Sequence, residues 1–410
     1  MRPFSAAILP IAAAFFCLAS TQAQTFTVLH SFQSTDGSGP DAGVIQDSSG
    51  TLYGTTIEGG AYSGGTVFKL TPKGKLSLLH SFYSTASDGL EPASRLLLDD
   101  NGNLYGTTIA GGDNCNDGSD TFGCGTVFKI SSSGKESILH SFEGGIPSSS
   151  DGANPSSGLI ADSNSNAMYG TTWGGYNGGV VYQITPSGKE TILYTAPDYP
   201  TLYGPLVQDI HGDLWGTSGG GNDHLCEGSC GTVFKLHKTS KGWVETTTYS
   251  FTGQADGADP WAGLVYDSVR HVFYGVTELG GANQTCYYEG SLGGCGVLFK
   301  LDSTGTQLTV LHAFNGKVDG QFPVADLILD PMGNLYGTTS GGGPSSGQGT
   351  VFAYTLGGQF ITLHTFTGGA DGSGPTGSLL LDRKKAVIYG TTYDGGDSTC
   401  QCGVVFSIAP

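Results

Sequence analysis

An all-β fold is predicted by three features of the chain. The string L-Y-G-T-T, or a close variant, returns seven times, with its aromatic residue at Tyr53, Tyr105, Tyr169, Trp215, Tyr274, Tyr336 and Tyr389. The spacings of 52, 64, 46, 59, 62 and 53 residues mark a repeat architecture with variable insertions. Each return carries the same four short apolar strings in the same order, and no useful helical period runs anywhere beyond the N-terminal leader. Four strands in each of seven copies gives 28, and four antiparallel strands in roughly 55 residues match one blade of a β-propeller. The prediction is a seven-bladed propeller of four-stranded antiparallel blades, one domain over residues 24–410.

The elements follow from the strings. L-H-S-F stands at Leu29–Phe32, Leu79–Phe82 and Leu139–Phe142, and with one change at Leu311–Phe314 and Leu363–Phe366. It degenerates to Leu193-Tyr194-Thr195 and Thr248-Tyr249-Ser250-Phe251 in the fourth and fifth copies. An apolar run ending in Asp comes next, at Val44–Asp47, Leu96–Asp99, Leu159–Asp162, Leu206–Asp209, Leu264–Asp267, Leu327–Asp330 and Leu379–Asp382. L-Y-G-T-T follows, and then G-T-V-F-K-L, as at Gly65–Leu70, Gly125–Ile130 and Gly231–Leu236. All are short, rich in Val, Ile, Thr, Tyr and Phe, and bounded by Gly, Asp, Ser or Pro, as strands are.

The run before Asp is apolar without alternation, which suits a strand buried on both faces and places it innermost. L-Y-G-T-T and G-T-V-F-K-L come next, with L-H-S-F outermost. The chain then begins on an outer strand (25–32) and ends on a third strand (403–408), so the N-terminal strand closes the last blade and removes an exposed edge. A rival frame puts L-H-S-F innermost and needs no such closure.

Residues 1–23 read as a secretory signal peptide: Arg2, a run of small and apolar residues from Ala6 to Ala19, then Ser20-Thr21-Gln22-Ala23. Phe15 and Phe16 before Cys17 argue against lipidation, and no later stretch is long enough to span a bilayer. Eight cysteines follow the leader. Cys124, Cys230, Cys295 and Cys402 each immediately precede the Gly of the fourth string, and Cys115, Cys226, Cys286 and Cys400 lie upstream in the same loops. In a secreted chain this reads as four loop-local disulfides, with zinc as the weaker reading because the pairs sit in separate blades. The tight Cys400-Gln401-Cys402 ring is the bond expected to be most reducible. The formal charge is −18 with basic residues sparse and scattered, which excludes a phosphate-binding stripe and a nucleic-acid partner. The 69 glycines sit at repeat-specific turns.

Short turns such as Asp99–Gly102 and Thr71–Lys75 occupy one face of the ring. The other face carries the second-to-third loops and the blade crossings, which are long, variable and cysteine-bearing, and function is expected there. Two features stand out on it. D-G-x-x-P recurs at Asp36–Pro40, Asp88–Pro92, Asp151–Pro155, Asp256–Pro260, Asp319–Pro323 and Asp371–Pro375, and the fourth repeat lacks it. A ring of these carboxylates could hold calcium; the plainer reading is a turn in which Asp accepts from its own backbone, Gly takes a positive φ and Pro fixes the chain. The second feature is the loop aromatics Tyr62, Phe122, Trp173, Tyr176, Trp261, Tyr287, Tyr288 and Tyr393, which suit a glycan or protein ligand or else roof over neighbouring blades.

His30, His80, His140, His312 and His364 share one strand position that holds Tyr194 and Tyr249 elsewhere, marking a packing site with a polar tip. His211, His224, His237 and His271 share no catalytic spacing. No nucleophile elbow, H-E-x-x-H, phosphate loop or dinucleotide fingerprint is read from the sequence. No catalytic, cofactor or metal residue is therefore assigned.

The combined pattern D-G-x-x-P, apolar run, D-x-x-G-N-L-Y-G-T-T, G-G, G-T-V-F-K-L, L-H-S-F resembles the GloVer tandem repeat of secreted bacterial proteins, with Leu96–Ile130 a close match. The resemblance covers nearly all of 25–410. It implies a secreted repeat scaffold, with a C-terminal anchor in some members, and implies no activity. Ending at Pro410 on its last strand, the chain is expected to be released as a soluble monomer. The leading expectation is a non-enzymatic propeller binding an extracellular glycan or protein through its long-loop face; the alternative is an enzyme acting on extracellular polysaccharide, as a lyase or glycosidase.

Overall fold

The computed structural model describes residues 24–83, 88–112, 123–144, 151–175, 178–196, 201–219, 230–283, 285–288, 291–344 and 347–409, with the side chains of 287, 288, 291 and 292 excepted. The leader, Phe122, Tyr176, Cys115, Cys226 and His224 lie outside the described residues. Seven four-stranded antiparallel sheets form the blades of a β-propeller, and no helix occurs among the described residues. Blade 1 is Ile45–Gln46, Leu52–Thr56, Thr66–Leu70 and Leu76–Ser81; blades 2 to 6 repeat this order up to Phe360–Thr365. In blade 7, Leu380–Asp382, Val387–Thr392 and Val404–Ala409 are completed by Thr25–Ser31, which pairs from Thr25 opposite Ala409 to Ser31 opposite Val404. The N-terminal strand therefore closes the ring, and the rival frame is excluded.

The repeated strings can now be read as physics. The Tyr or Trp of L-Y-G-T-T donates to the Asp that ends the preceding strand: Tyr53 to Asp47 at 3.1 Å, Tyr105 to Asp99 at 3.1 Å, Trp215 to Asp209 at 2.9 Å and Tyr336 to Asp330 at 3.2 Å. The other oxygen of the same Asp accepts from backbone N–H groups in the turn, so one carboxylate holds both turn and strand. The Gly of the string is steric. A Cβ at Gly106 would come within 2.5 Å of Phe128, and at Gly216 within 2.5 Å of Phe234, because the ring of the third strand lies across it. The fourth residue ties blades together. Thr55 donates to the carbonyl of Ser94, Thr107 to Ser157, Thr171 to Gly204, Thr217 to Ala262 and Thr391 to Ala42, each in the next blade around the ring.

The Phe that follows L-H-S packs edge-on against the third-strand Phe or Tyr of the next blade, as Phe32 does on Phe68 and Phe142 on Tyr182. Apolar burial thus divides into seven clusters, one at each blade–blade junction.

One expectation is corrected. The innermost strands are not buried on both faces, and they are only two or three residues long. Val44, Leu96 and Leu159 are buried between blades, whereas Ile45, Leu97, Leu98 and Ile160 are half-buried and face a hollow axis. The run is apolar because blade contact and channel wall alternate along it, and the wall is lined rather than filled.

Candidate functional site

This axial channel is a cavity of about 1150 Å³. Three columns of the repeat line its mouth. The residue after the D-G-x-x-P proline, or its equivalent, is Asp41, Ala93, Ser156, Tyr203, Trp261, Val324 and Thr376 in blades 1 to 7. Two residues further on stand Gly43, Arg95, Gly158, Pro205, Gly263, Asp326 and Ser378. The residue after the second Thr of L-Y-G-T-T is Ile57, Ile109, Trp173, Gly219, Glu278, Ser340 and Tyr393, and of these Ile109, Trp173, Glu278 and Ser340 line the channel. Between these columns runs an invariably small one (Ala42, Ser94, Ser157, Gly204, Ala262, Ala325, Gly377), and the carbonyls of Ala42, Ser94, Ser157, Gly204 and Ala262 take the Thr bonds described above. The scaffold thus fixes the small column and leaves its neighbours free to vary.

Those variable residues segregate around the ring. Blades 3 to 5 form an aromatic wall: Trp173 stacks on Tyr203 (centroids 5.6 Å apart), and Tyr203 on Trp261 (4.0 Å, 5° between planes). Both faces of Tyr203 are covered, so the stack offers ring edges and the outer faces of the two tryptophans. Blades 6, 7 and 1 form a wall of carboxylates and hydroxyls. Asp326 accepts from the Gly263 N–H at 2.7 Å and the Ser378 hydroxyl at 2.9 Å, and Asp41 accepts from the Thr376 hydroxyl at 2.5 Å. Burial pushes both carboxyls above the usual range; these hydrogen bonds, and for Asp326 the field of Arg95, pull the other way. Seven-fold order puts blade 4 opposite the junction of blades 7 and 1, so the two walls face each other. Arg95 stands between them in blade 2. Burial lowers its pKa from the ordinary arginine value, and the charge of Asp326 across the axis opposes that shift.

Of the expected aromatics, Trp173 and Trp261 come together here. Tyr62 makes an edge contact with Tyr83 at 4.7 Å above a separate cavity of about 460 Å³ lined by Ser34, Ser38, Glu58 and Glu91. Tyr393 packs over the crossing at Gly39, and Tyr287–Tyr288 form a short hairpin with Ser291–Leu292. Cys286–Cys295 and Cys400–Cys402 are bonded as expected, and Cys124 and Cys230 are also in disulfides. Sequence reasoning missed Asp41, Arg95, Tyr203, Glu278 and Asp326. Aligning the columns beside the proline would have exposed Asp41, Arg95 and Asp326, aligning the residue after L-Y-G-T-T would have exposed Glu278, and the fourth repeat's missing motif marked Tyr203.

The D-G-x-x-P carboxylates do not gather into one ring. Each faces the His or Tyr of its own outer strand: Asp36 to His30 at 3.1 Å, Asp88 to His80 at 3.1 Å, Asp319 to His312 at 2.8 Å, Asp371 to His364 at 3.1 Å, and Asp256 to Tyr249 at 3.0 Å. Residues of the next blade cover these pairs. Phe360 stacks on His312 at 4.0 Å and Phe26 on His364 at 3.8 Å, whereas in blades 2 and 3 the covering residues include Glu136 and Glu190. His80, Asp88 and Glu136 bring ligand-type atoms within 4.8 Å of one another.

Three segments, 12–196, 116–287 and 284–410, match the model of the Gloeobacter/Verrucomicrobia repeat. The chain belongs to this repeat family. No curated protein sequence matches it. Solved structures share the propeller at low identity. A Bacteroides fragilis protein provisionally named a 6-phosphogluconolactonase is 15% identical over 87% of this chain and 89% of that one, with a TM-score of 0.50. The extracellular domain of a provisionally named hybrid two-component system from B. thetaiotaomicron is 13% identical over 94% of this chain and 41% of that one (TM-score 0.54). A Mycobacterium tuberculosis puromycin-hydrolyzing peptidase is 10% identical over 88% and 52% (TM-score 0.54), so this repeat-family chain spans about half the length of the last two. At such identities the likeness concerns fold alone.

Proposed function

We propose that this member of the repeat family is a secreted carbohydrate-binding propeller that seats its ligand in the channel mouth without chemistry of its own. The observation that carries the reading is the pairing of opposed walls: aromatic groups from Trp173, Tyr203 and Trp261 on one side, and the acceptors and hydroxyls of Asp41, Asp326, Thr376 and Ser378 on the other. A sugar ring has the complementary pair of surfaces, C–H groups for aromatic contact and hydroxyls that donate to carboxylates. A concave channel also suits a saccharide better than a folded protein, whose docking needs roughly 800 Å² of surface per partner. The disulfides fit an oxidising compartment. A polysaccharide-cleaving enzyme is the second reading, favoured by two carboxyls, Asp41 and Asp326, whose burial suits them to proton transfer.

Screening the purified protein on a glycan array, with reducing-end release assayed in parallel, tests both. The expected result is a glycan signal that Trp173→Ala/Trp261→Ala abolishes, with no release of reducing ends. Release that Asp326→Asn abolishes would establish the enzyme instead; no glycan signal, or one indifferent to the double substitution, would overturn the binding site.

A further inference from the structure

We propose that the channel ligand is an acidic saccharide whose carboxylate or sulfate is received by Arg95. This rests on the carbohydrate reading above and narrows it. Three side-chain donors that line the channel are shut off from solvent and have no hydrogen-bond partner: Arg95 Nε, Ser156 Oγ and Trp261 Nε1. Buried donors are normally satisfied, and an unsatisfied one is costly, most of all on a charged group. Arg95 Nε and Trp261 Nε1 can only donate, and the Ser156 hydroxyl can donate or accept. Each can donate, so what completes them is an acceptor.

Arg95 decides the charge of that group. Among the described residues it is the one basic side chain lining the channel, and no carboxylate of theirs lies within 4.0 Å of its guanidinium. Asp326 interacts with it electrostatically across the axis without contact and is already engaged by Gly263 and Ser378. Asp326 and Asp41 therefore have protein donors, whereas the buried Nε of Arg95 has no acceptor among the described residues. A planar five-donor fork left open in a low-dielectric cavity matches a carboxylate or sulfate, which it can take in two parallel bonds.

The backbone leaves room for this. Arg95 shares its column with Gly43, Gly158 and Gly263, and a Cβ at Gly158, in the adjoining blade, would stand 3.1 Å from the Arg95 carbonyl oxygen and 3.4 Å from its Cβ. A larger residue at 158 would crowd the base of the arginine. Across the axis, Asp326 keeps lone pairs for the ligand's hydroxyls, and the outer faces of Trp173 and Trp261 remain for its ring. One acidic sugar thereby uses all three chemistries of the mouth.

Isothermal titration at neutral pH with a galacturonate trisaccharide, a sulfated galactose trisaccharide and neutral galactotriose tests the proposal on wild type, Arg95→Gln, Arg95→Lys and Trp261→Phe. Wild type is expected to bind one acidic probe at least about tenfold more tightly than the neutral one, and whichever probe wins tells carboxylate from sulfate. Arg95→Gln should erase that preference while still binding the neutral sugar. Arg95→Lys, which keeps the charge and loses the fork, should retain part of it, and Trp261→Phe should weaken the acidic probe more than the neutral one. Melting curves check folding, and Arg95→Lys carries the test should Arg95→Gln fail to fold. Equal binding of acidic and neutral probes by wild type, or an acidic preference that survives Arg95→Gln, overturns the anionic ligand and leaves the carbohydrate reading standing. Binding of none of the three overturns both.

Discussion

The body of the blades and the mouth of the channel are built from the same seven repeats, yet one is constant and the other is not. In the body, each recurring residue answers a local mechanical need: the Asp that holds turn and aromatic, the Gly under a phenyl ring, the Thr that ties one blade to the next. At the mouth, the columns flanking the small residue run from glycine to tryptophan and from arginine to aspartate. The constant residues therefore serve the fold, and the varying ones are where the proposed site lies. The outer rim teaches the same lesson on a smaller scale, since equivalent His–Asp pairs are covered by Phe26 and Phe360 at two junctions and faced by Glu136 and Glu190 at two others.

The comparison can be broken by changes that cross its line. Deleting residues 24–33 strips the outer strand from blade 7 and uncovers the edge of Val404–Ala409. We expect this to be the largest effect, with loss of a cooperative melt and self-association on gel filtration; a monomer melting as wild type does would refute ring closure. Gly106→Ala forces a Cβ to 2.5 Å from Phe128 and should cost roughly 1–3 kcal/mol of stability, with ligand affinity unchanged once folded. The mirror-image experiment is Trp261→Ala, which should cost roughly 2 kcal/mol of binding. A comparable loss of stability there, or a loss of binding in Gly106→Ala, would erase the distinction between body and mouth.

The smallest effect sharpens the contrast at the rim. Burial raises Glu190 to about 7, with the His140 charge opposing and the Asp151 charge adding to the shift. The folded state then holds a proton that the unfolded chain has released, so stability falls as pH rises from about 4.5 to about 7, and the full cost is felt above that window. Because the group is part-exposed, we expect about 1 kcal/mol rather than the value the full shift implies. Glu190→Gln should flatten this slope in urea melts at pH 5 and pH 8, and an unchanged slope would show that Glu190 is not its source.

Blade number, strand order and ring closure were legible in the sequence because they rest on strings that repeat, and repetition isolates what the fold demands. The coupling of His80 to Asp88, or of Thr55 to the Ser94 carbonyl, was not, since each joins two strings whose contact depends on register and blade packing. The site was half legible. Trp173 and Trp261 stood out as loop aromatics, but Tyr62 and Tyr393 looked the same in sequence and lie elsewhere. Arg95 and Asp326 stood in the short gaps between D-G-x-x-P and the apolar run, and only closing the ring sets them across one axis.

The central claim is that the residues breaking the repeat at the channel mouth form the binding site. A crystal structure of the protein with the acidic trisaccharide that binds best tests it most directly. The account predicts density for the sugar in the channel, its anionic group on the Arg95 guanidinium and its ring against Trp173 or Trp261. Density on the outer rim, in the cavity beside Tyr62, or on the short-turn face, with the channel filled by water alone, would contradict it.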